Sequence, residues 1–340
     1  MTAHRTLPIV GLTAGDPAGI GPELALRVLA QAETHDLCRP VIYGSRSALV
    51  RDLAWLDLEA ELVDVTETGV PERTRPDRIL VHDVDLPGDD PFEVGVISAI
   101  AGALAVRGVR AAVADALRGD IHAICTAPLN KESMWRAGHE YDGHTGLLTE
   151  LCDGAQASML LVGDRLRVAH VTTHVAFEDV PSRLSVERIH RVIGIAGEAL
   201  RSLGIPEPRI AVAGLNPHAG EHGLFGGQEG TIIEPAIAAA RADGWDVRGP
   251  ISPDAVFIQM LEDRHDIVIA MYHDQGHIPV KIIEFDRAVN VSGGLPIVRT
   301  SVDHGTAFDI AGTGIARTEN MEVALALAAR MGANRAGLEG

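Results

Sequence analysis

Lysine is almost missing from this chain. Of 29 basic residues in 340, only Lys131 and Lys281 are lysines and the other 27 are arginines. Arginine therefore serves wherever a surface cation suffices, and the two ammonium groups call for a separate reason. An ammonium is compact and can surrender its proton, which a guanidinium cannot. Cysteine is scarce as well. Cys38, Cys125 and Cys152 are too few and too scattered for a disulfide framework or a Cys-based zinc site, and are expected to be reduced thiols that fill core. No run of 18 apolar residues exists and Met1 to Leu7 lacks a signal-peptide core, so no membrane span is predicted and a cytoplasmic location is the default expectation. The net charge of -18 is spread over both halves, which argues against nucleic acid or an anionic membrane as partner. An anionic substrate would need a local basic pocket. There is also no G-x-G-x-x-G after the first strand, so a standard Rossmann dinucleotide site is unsupported.

What is present points to an α/β protein. With 46% hydrophobic residues and 36 glycines the chain can bury two packed α/β domains. Asp266 to Ala270 is a short β-branched run bounded by charge, as expected for a buried strand of a parallel sheet. The residues after it, Met271-Tyr272-His273-Asp274-Gln275-Gly276-His277, would then emerge at a strand's carboxyl end, where ligand crevices of such sheets lie. Pro8 to Thr13 predicts a first strand, and Ala14 to Glu23 a glycine-rich loop entering a helix whose N-terminus could attract an anion. The charged region from Asp64 to Asp90 predicts a surface excursion with strand pieces. A helix is expected from Ser98 to Leu117, then a strand from Ile121 to Thr126 that ends in Ala127 to Glu132 with Lys131. His144 and Thr145 stand at a helix entrance, where a capping role is the simpler expectation and a ligand role the alternative.

Ala157 to Val162 and Leu166 to Thr173 predict a hairpin whose second strand ends at His174. Ser185 to Leu203 predicts an amphipathic helix, Arg209 to Gly214 a strand running into Asn216-Pro217-His218, and Glu229 to Ala242 a further helix. The arrangement of strand, histidine at or just past its end, then loop thus occurs three times, at His174, His218 and His273. One such histidine is usually only a polar residue at a sheet edge. Three suggest a metal, with zinc or cobalt suited to imidazoles and magnesium possible if oxygen ligands join. Their spacing is too long for a local zinc motif, so the fold would have to assemble the site.

Seven stretches together resemble one family. They are GLTAGDPAGIGPE (Gly11 to Glu23), TAPLNKE (Thr126 to Glu132), Gly143-His144-Thr145, Thr172-Thr173-His174, LNPHAGE (Leu215 to Glu221), YHDQG (Tyr272 to Gly276) and RTSVDHGT (Arg299 to Thr306). In this order, over nearly the whole chain, they look like the 4-hydroxythreonine-4-phosphate dehydrogenase family. The resemblance implies two α/β/α domains flanking an active-site cleft, of the isocitrate/isopropylmalate dehydrogenase type. Approximate boundaries are residues 1–127 plus 267–340 for a cofactor-side domain and 128–266 for a central domain with metal, substrate and dimer contacts.

The resemblance also implies roles, residue by residue. His174, His218 and His273 would bind the divalent metal (Zn, Co or Mg), in a site shared by two subunits of a homodimer. His144, Thr145, Lys281, Asn290 and Arg299 would contact substrate, with Lys281 and Asp274 as catalytic groups. NAD or NADP would lie against His304, Gly305, Thr306, Ala307, Asp309 and Gly312. The implied reaction is oxidation of the 3-hydroxyl of a phosphorylated hydroxy acid, 4-phosphooxy-L-threonine by default (pyridoxal phosphate biosynthesis), with decarboxylation of the β-keto acid. Similar relatives act on 4-phospho-D-threonate, 4-phospho-D-erythronate or a terephthalate-derived cis-diol. Two departures bear on that choice: Gly146 stands where the family commonly has Glu, and His277 where an aliphatic residue is common. Loss of a carboxylate at 146 would favour a 2-hydroxy over a 2-amino substrate. A His-site metal hydrolase and a non-catalytic metal- or nucleotide-binding protein are the alternatives from other classes. Neither gives a use to both glycine-rich stretches and to Lys281, Asn290 and Arg299.

Overall fold

The computed structural model describes residues 6–338 apart from 87, 89, 90 and 286. In chain order the described strands are β1 (Ile9–Thr13), β2 (Arg39–Gly44), β3 (Glu61–Asp64), β4 (Arg78–Asp83), β5 (Ala123–Thr126), β6 (Ser158–Val162), β7 (Arg167–His170), β8 (Arg209–Ala213), β9 (Asp246–Ile251), β10 (Ile267–Ala270), β11 (Val289–Gly293) and β12 (Arg299–Ser301). The chain forms two compact units. Unit 1 holds the described residues up to Gln156 and those from Leu295 on, and unit 2 is Ala157–Gly294. The divisions expected after 127 and 266 fall elsewhere, and strand pairing is the reason. β10 lies between β7 and β8, and β11 pairs with β6, so residues 267–294 stay with unit 2.

In unit 1 the strands run β3-β4-β2-β1-β5-β12, all parallel. Val10, Leu12, Val41, Ile42, Ala123 and Ile124 are fully buried, as a parallel sheet covered on both faces requires. The region from Asp64 to Asp90 contributes one of the expected strand pieces, β4, which joins this sheet between β3 and β2. Ile79, Leu80 and Val81 are buried despite the charge around them, because three consecutive apolar residues suffice for a short paired strand. Thr13 is opposite Thr126, and Thr126 opposite Ser301, so the loops after β1, β5 and β12 leave from one edge of the sheet.

In unit 2 the order is β11-β6-β7-β10-β8-β9. β6 and β7 form the expected antiparallel hairpin, closed by Gly163 N–H donating to Leu166 O at 2.8 Å. β7, β10 and β8 are parallel neighbours, and their carboxyl ends lie side by side. β7 stops at His170 rather than Thr173, since its partner β10 ends at Ala270 opposite it. Val171 and Thr172 then donate to the carbonyls of Ala270 (2.9 Å) and Met271 (3.2 Å). The core under this edge is formed by Leu161, Val168, Ala211, Val268 and Val280. The helix Val186–Ser202 is capped by Ser185, whose hydroxyl accepts from Arg188 N–H, and buries Ile189, Val192, Ile193, Ala196 and Leu200.

One glycine decides how closely two helices of unit 1 approach. Gly102 lies in the helix Ala99–Arg118 against the helix Lys131–Arg136, and a Cβ there would collide with the carbonyl of Ser133. Gly102→Ala is expected to destabilise the protein by about 1–3 kcal/mol through overpacking. The measurement is urea unfolding. A midpoint equal to that of the wild type would show that the helix pair relaxes without cost.

Candidate active site

The two glycine-rich motifs of unit 1 form a buried joint. Every residue from Gly11 to Leu26 is buried, so the helix N-terminus expected to attract an anion is closed off instead by the chain itself. Gly15 has φ +69°, and a Cβ on it would strike the carbonyl of Pro128. Asp16 N–H donates to that same carbonyl at 3.0 Å, and Asp16 Oδ1 accepts from Ala18 N–H at 2.9 Å. Burial raises the Asp16 pKa although neighbouring hydrogen bonds oppose it. Ile20 N–H donates to Thr306 O at 3.0 Å, and Gly19 packs where a Cβ would come within 2.9 Å of Thr306 Cβ. The expected cofactor segment is thereby fastened to the N-terminal loop. His304, Gly305, Asp309 and Gly312 are exposed, Thr306 is buried, and Ala307 takes a left-handed φ of 42°.

Also in unit 1, His144 opens the helix His144–Leu151 without capping it. Gly143 is the capping position, with φ 134°, and no side chain caps the helix. His144 Nε2 is buried with no hydrogen-bond partner among the described residues, which is an uncommon and costly state for a polar atom. Burial first, and the Arg299 charge second, hold its pKa well below the usual histidine value. It is a neutral imidazole. Arg299 is itself buried, with Nε and Nη2 donating to Thr126 Oγ1 at 3.1 and 2.6 Å, and burial lowers its pKa to about 10, still cationic at neutral pH. Thr145 is exposed. Gly146 N–H donates to Asp142 Oδ1 at 3.2 Å, so a carboxylate stands beside residue 146 even though the family's glutamate is absent.

Unit 2 carries the three histidines. His273 begins the helix His273–Glu284, directly past β10, and its Nδ1 lies 2.7 Å from Asp274 Oδ1. A carboxylate accepts only, so Nδ1 bears the proton and Nε2 keeps its lone pair. Asp274 thus orients the His273 ring. His174 follows β7, with ring centroids 5.6 Å from His273. His218 follows β8 in a turn where residues 218–222 all have φ between 42° and 78°. Buried Glu229 fastens that turn: Oε1 accepts from Leu215 N–H (2.9 Å) and Asn216 N–H (2.8 Å), and Oε2 from Asn216 Nδ2 (3.0 Å). Lys281 is half-buried two turns along the His273 helix, with Nζ 5.1 Å from the Phe285 ring centre, and Asn290 is half-buried on β11.

Sequence reasoning did not find Glu229, His170 or Asp16 as supporting residues. Each acts through a partner far along the chain, and the available signal was only a polar residue inside an otherwise apolar or glycine-rich run. His170 is fully buried beneath His273. Desolvation, with His277 beside it, lowers its pKa to about 3.

A divalent metal is chemically suited to this donor set, which offers neutral imidazoles and a carboxylate that orients one of them. Among the described residues, no group of three or more His, Cys, Asp or Glu side chains stands close enough to hold an ion as it is. His174 and His273 adjoin, whereas His218 lies against Phe225 at 6.3 Å and does not complete the group.

Residues 36–328 match the family model described as pyridoxal phosphate biosynthetic protein PdxA. This chain belongs to the PdxA family. It is 47% identical over 328 residues to a D-threonate 4-phosphate dehydrogenase of Salmonella typhimurium, covering 95% of this chain and 98% of that protein. It is 41% identical over 331 residues to a 4-hydroxythreonine-4-phosphate dehydrogenase of Trichlorobacter lovleyi, covering 96% and 98%. The crystal structure of a 4-hydroxythreonine-4-phosphate dehydrogenase from Klebsiella pneumoniae superposes with TM-score 0.89 at 45% identity, over 97% of this chain and 99% of that one. A β-decarboxylating dehydrogenase from Thermococcus kodakarensis, at 13% identity and TM-score 0.51 over 98% of this chain and 85% of that one, shares the fold alone. Both the PdxA relationship and the α/β class expected from the motifs are therefore established. No helix among the described residues is long and apolar enough to cross a membrane.

The buried neutral state of His144 has a measurable consequence. An unfolded histidine titrates near pH 6.5, and folded His144 well below that. As pH falls from about 6.5 the unfolded chain gains a proton that the folded chain refuses, so stability drops by up to about 1.4 kcal/mol per pH unit. His144→Leu removes this loss. The difference in unfolding free energy between variant and wild type is expected to move in the variant's favour between about pH 6.5 and 5.5. A difference independent of pH would mean that His144 accepts its proton in the folded state.

Proposed function

We propose that this PdxA-family chain is a metal-dependent, NAD(P)-linked dehydrogenase that oxidises the 3-hydroxyl of a four-carbon 4-phosphorylated acid. The observation that carries the reading is the emergence of His174, His273 and His218 from the carboxyl ends of three adjacent parallel strands. D-threonate 4-phosphate is the preferred substrate class on the ground that the Salmonella sequence relative named for it is 47% identical against 41% for the Trichlorobacter relative named for 4-hydroxythreonine 4-phosphate, which remains the second reading. The argument from a missing carboxylate at Gly146 does not add to this preference, since Asp142 supplies one there.

In this reading His174, His218 and His273 would hold the divalent ion in a site completed only by the two subunits of a homodimer. The ion supplies Lewis acidity that makes the hydroxyl easier to deprotonate and its ketone product easier to polarise. Asp274 keeps His273 in the tautomer that presents Nε2. Arg299 supplies fixed positive charge for a phosphate or carboxylate in an acidic protein, and His144 offers Nε2, otherwise unpartnered, to a substrate polar group. Thr145 and Asn290 are assigned to the same substrate. A bound nicotinamide nucleotide would supply the hydride acceptor for C3, and a base would take the hydroxyl proton. Loss of carbon dioxide from the 3-keto acid then leaves a three-carbon phosphorylated enol that takes up one proton. Lys281, on the same helix as His273, is suited to move these protons because an ammonium can release one and a guanidinium cannot. The nicotinamide nucleotide is assigned to the His304 to Gly312 segment, where exposed Gly305 leaves room for a ligand, nothing lying within 4 Å of a Cβ built on it, whereas Gly312 packs against Trp55.

The test is NAD+ and NADP+ reduction with D-threonate 4-phosphate and with 4-phosphohydroxy-L-threonine, before and after removal of metal by a chelator. Turnover should require metal and be faster with the D-threonate ester. His218→Ala and His273→Ala should lose roughly a hundredfold or more in kcat/KM while remaining folded. Full activity in the chelated enzyme, or no reduction with either substrate, would refute the reading.

The homodimer expected for the family is proposed through the helix His273–Glu284. Ile278, Ile282 and Phe285, at helical spacing, are 55%, 75% and 67% exposed, an apolar stripe that water would disfavour. Ile282→Glu is expected to shift sedimentation from a dimer toward a monomer. A dimer of unaltered strength would place the interface elsewhere.

A further inference from the structure

We infer that His277 is a positioning residue for His273, acting through a face-to-face stack of the two imidazoles. This rests on the proposed role of His273 as a metal ligand. The ring centroids are 3.6 Å apart with planes 14° from parallel, the tightest ring pair among the described residues. The two residues are one helical turn apart, so their side chains lie on one face.

The stack has an anchor. His277 is buried, and its Nδ1 lies 3.1 Å from His170 Nε2 and 3.1 Å from His273 O. His170, at the end of β7, is fully buried, with Nδ1 3.3 Å from the carbonyl of Met159 on β6. A carbonyl can only accept, so His170 carries its proton on Nδ1 and offers Nε2 as an acceptor. His277 Nδ1–H is then the donor, shared between His170 Nε2 and His273 O. Both rings have a defined tautomer and a defined plane. Gly276 provides the space: a Cβ there would run into His170 Nε2 and come within 2.6 Å of Val168 Cγ1. The glycine of the YHDQG motif therefore seats His170, His170 fixes His277, and the flat face of His277 limits the rotation of the His273 ring.

A buried histidine that merely filled volume could be replaced by leucine. Leucine offers neither the N–H for His170 nor a flat surface for His273. A ring already restrained loses less freedom when it takes up a ligand, and partners that orient a ligating histidine typically contribute about 10–100-fold to metal affinity.

The experiment titrates Co2+ into the chelator-treated full chain and follows the visible absorption of imidazole-bound cobalt, with thermal unfolding recorded for each variant. His277→Leu is expected to weaken Co2+ binding by about tenfold or more, and to alter the spectrum, while the protein stays folded. His277→Phe, which keeps a flat ring, should recover most of the affinity, and His277→Asn, which keeps a donor without a ring, should not. Affinity and spectrum of His277→Leu matching the wild type would overturn the inference. So would a phenylalanine variant as weak as the asparagine variant, a comparison that holds even if the leucine variant fails to fold. Wild-type protein that takes up no cobalt on histidine would sink the metal reading and this inference with it. Cobalt bound equally by all variants would sink only the role of His277.

Discussion

The parallel pairing of β7, β10 and β8 is the constraint on which the candidate site depends. In a parallel sheet every strand ends at the same edge, so whatever follows each strand is delivered to one line. Ala270 is opposite His170, and Ile269 opposite Val212, which sets where the three loops begin. His273 follows after two residues, His174 after three more residues of β7's extension, and His218 opens the turn that follows β8. The core of Leu161, Val168, Ala211, Val268 and Val280 packs beneath that edge, and consecutive residues of β10 are buried on both faces of the sheet.

Around this edge the chain repeatedly uses a buried polar side chain to hold a loop in a demanding shape. Glu229 takes three N–H donors from residues 215 and 216, and so fixes the entry to a turn with five consecutive left-handed residues, four of them not glycine. Left-handed backbone costs a non-glycine residue about 1 kcal/mol or more, and persists only where the surroundings over-determine it. In unit 1 Asp16 and the carbonyls of Pro128 and Thr306 perform the same task for the N-terminal loop. Polar burial is costly unless satisfied, so these groups specify one loop geometry and disfavour others. His144 Nε2, like Asp16 Oδ2, is buried without a hydrogen-bond partner among the described residues, and it is the atom proposed above to meet a polar group of the substrate near Arg299.

The scarcity of lysine takes on meaning in this setting. Arg299 is buried and held by Thr126, which suits a planar fork of donors whose charge must survive desolvation. Lys281 sits half-buried on the His273 helix, where a proton carrier is required by the proposed chemistry. Lys131 is exposed at the start of a helix that Asn130 caps through Ser133 N–H, and its Cε lies 3.4 Å from where a Cβ on Gly143, the residue before His144, would stand.

Much of this protein was determined locally, and so could be read from the sequence. Short apolar runs such as Ile267–Ala270 and Ala123–Thr126 can only be buried strands, and Ser185 before an apolar helical pattern marks a helix start. Seven collinear motifs carried the family, and the placement of His174, His218 and His273 beyond strand ends followed from the same patterns. Tertiary structure decided what depends on partners distant in the chain. Pairing of β11 with β6 moved the boundary between units to 294, and the end of β10 at Ala270 cut β7 short of Thr173. Packing of Gly15 and Gly19 against Pro128 and Thr306 turned an expected anion site into a buried joint. The stack of His277 on His273, anchored by His170 over a hundred residues away, has no local signature at all, because helical spacing places two rings on one face but only the third ring, arriving from another strand, fixes their planes.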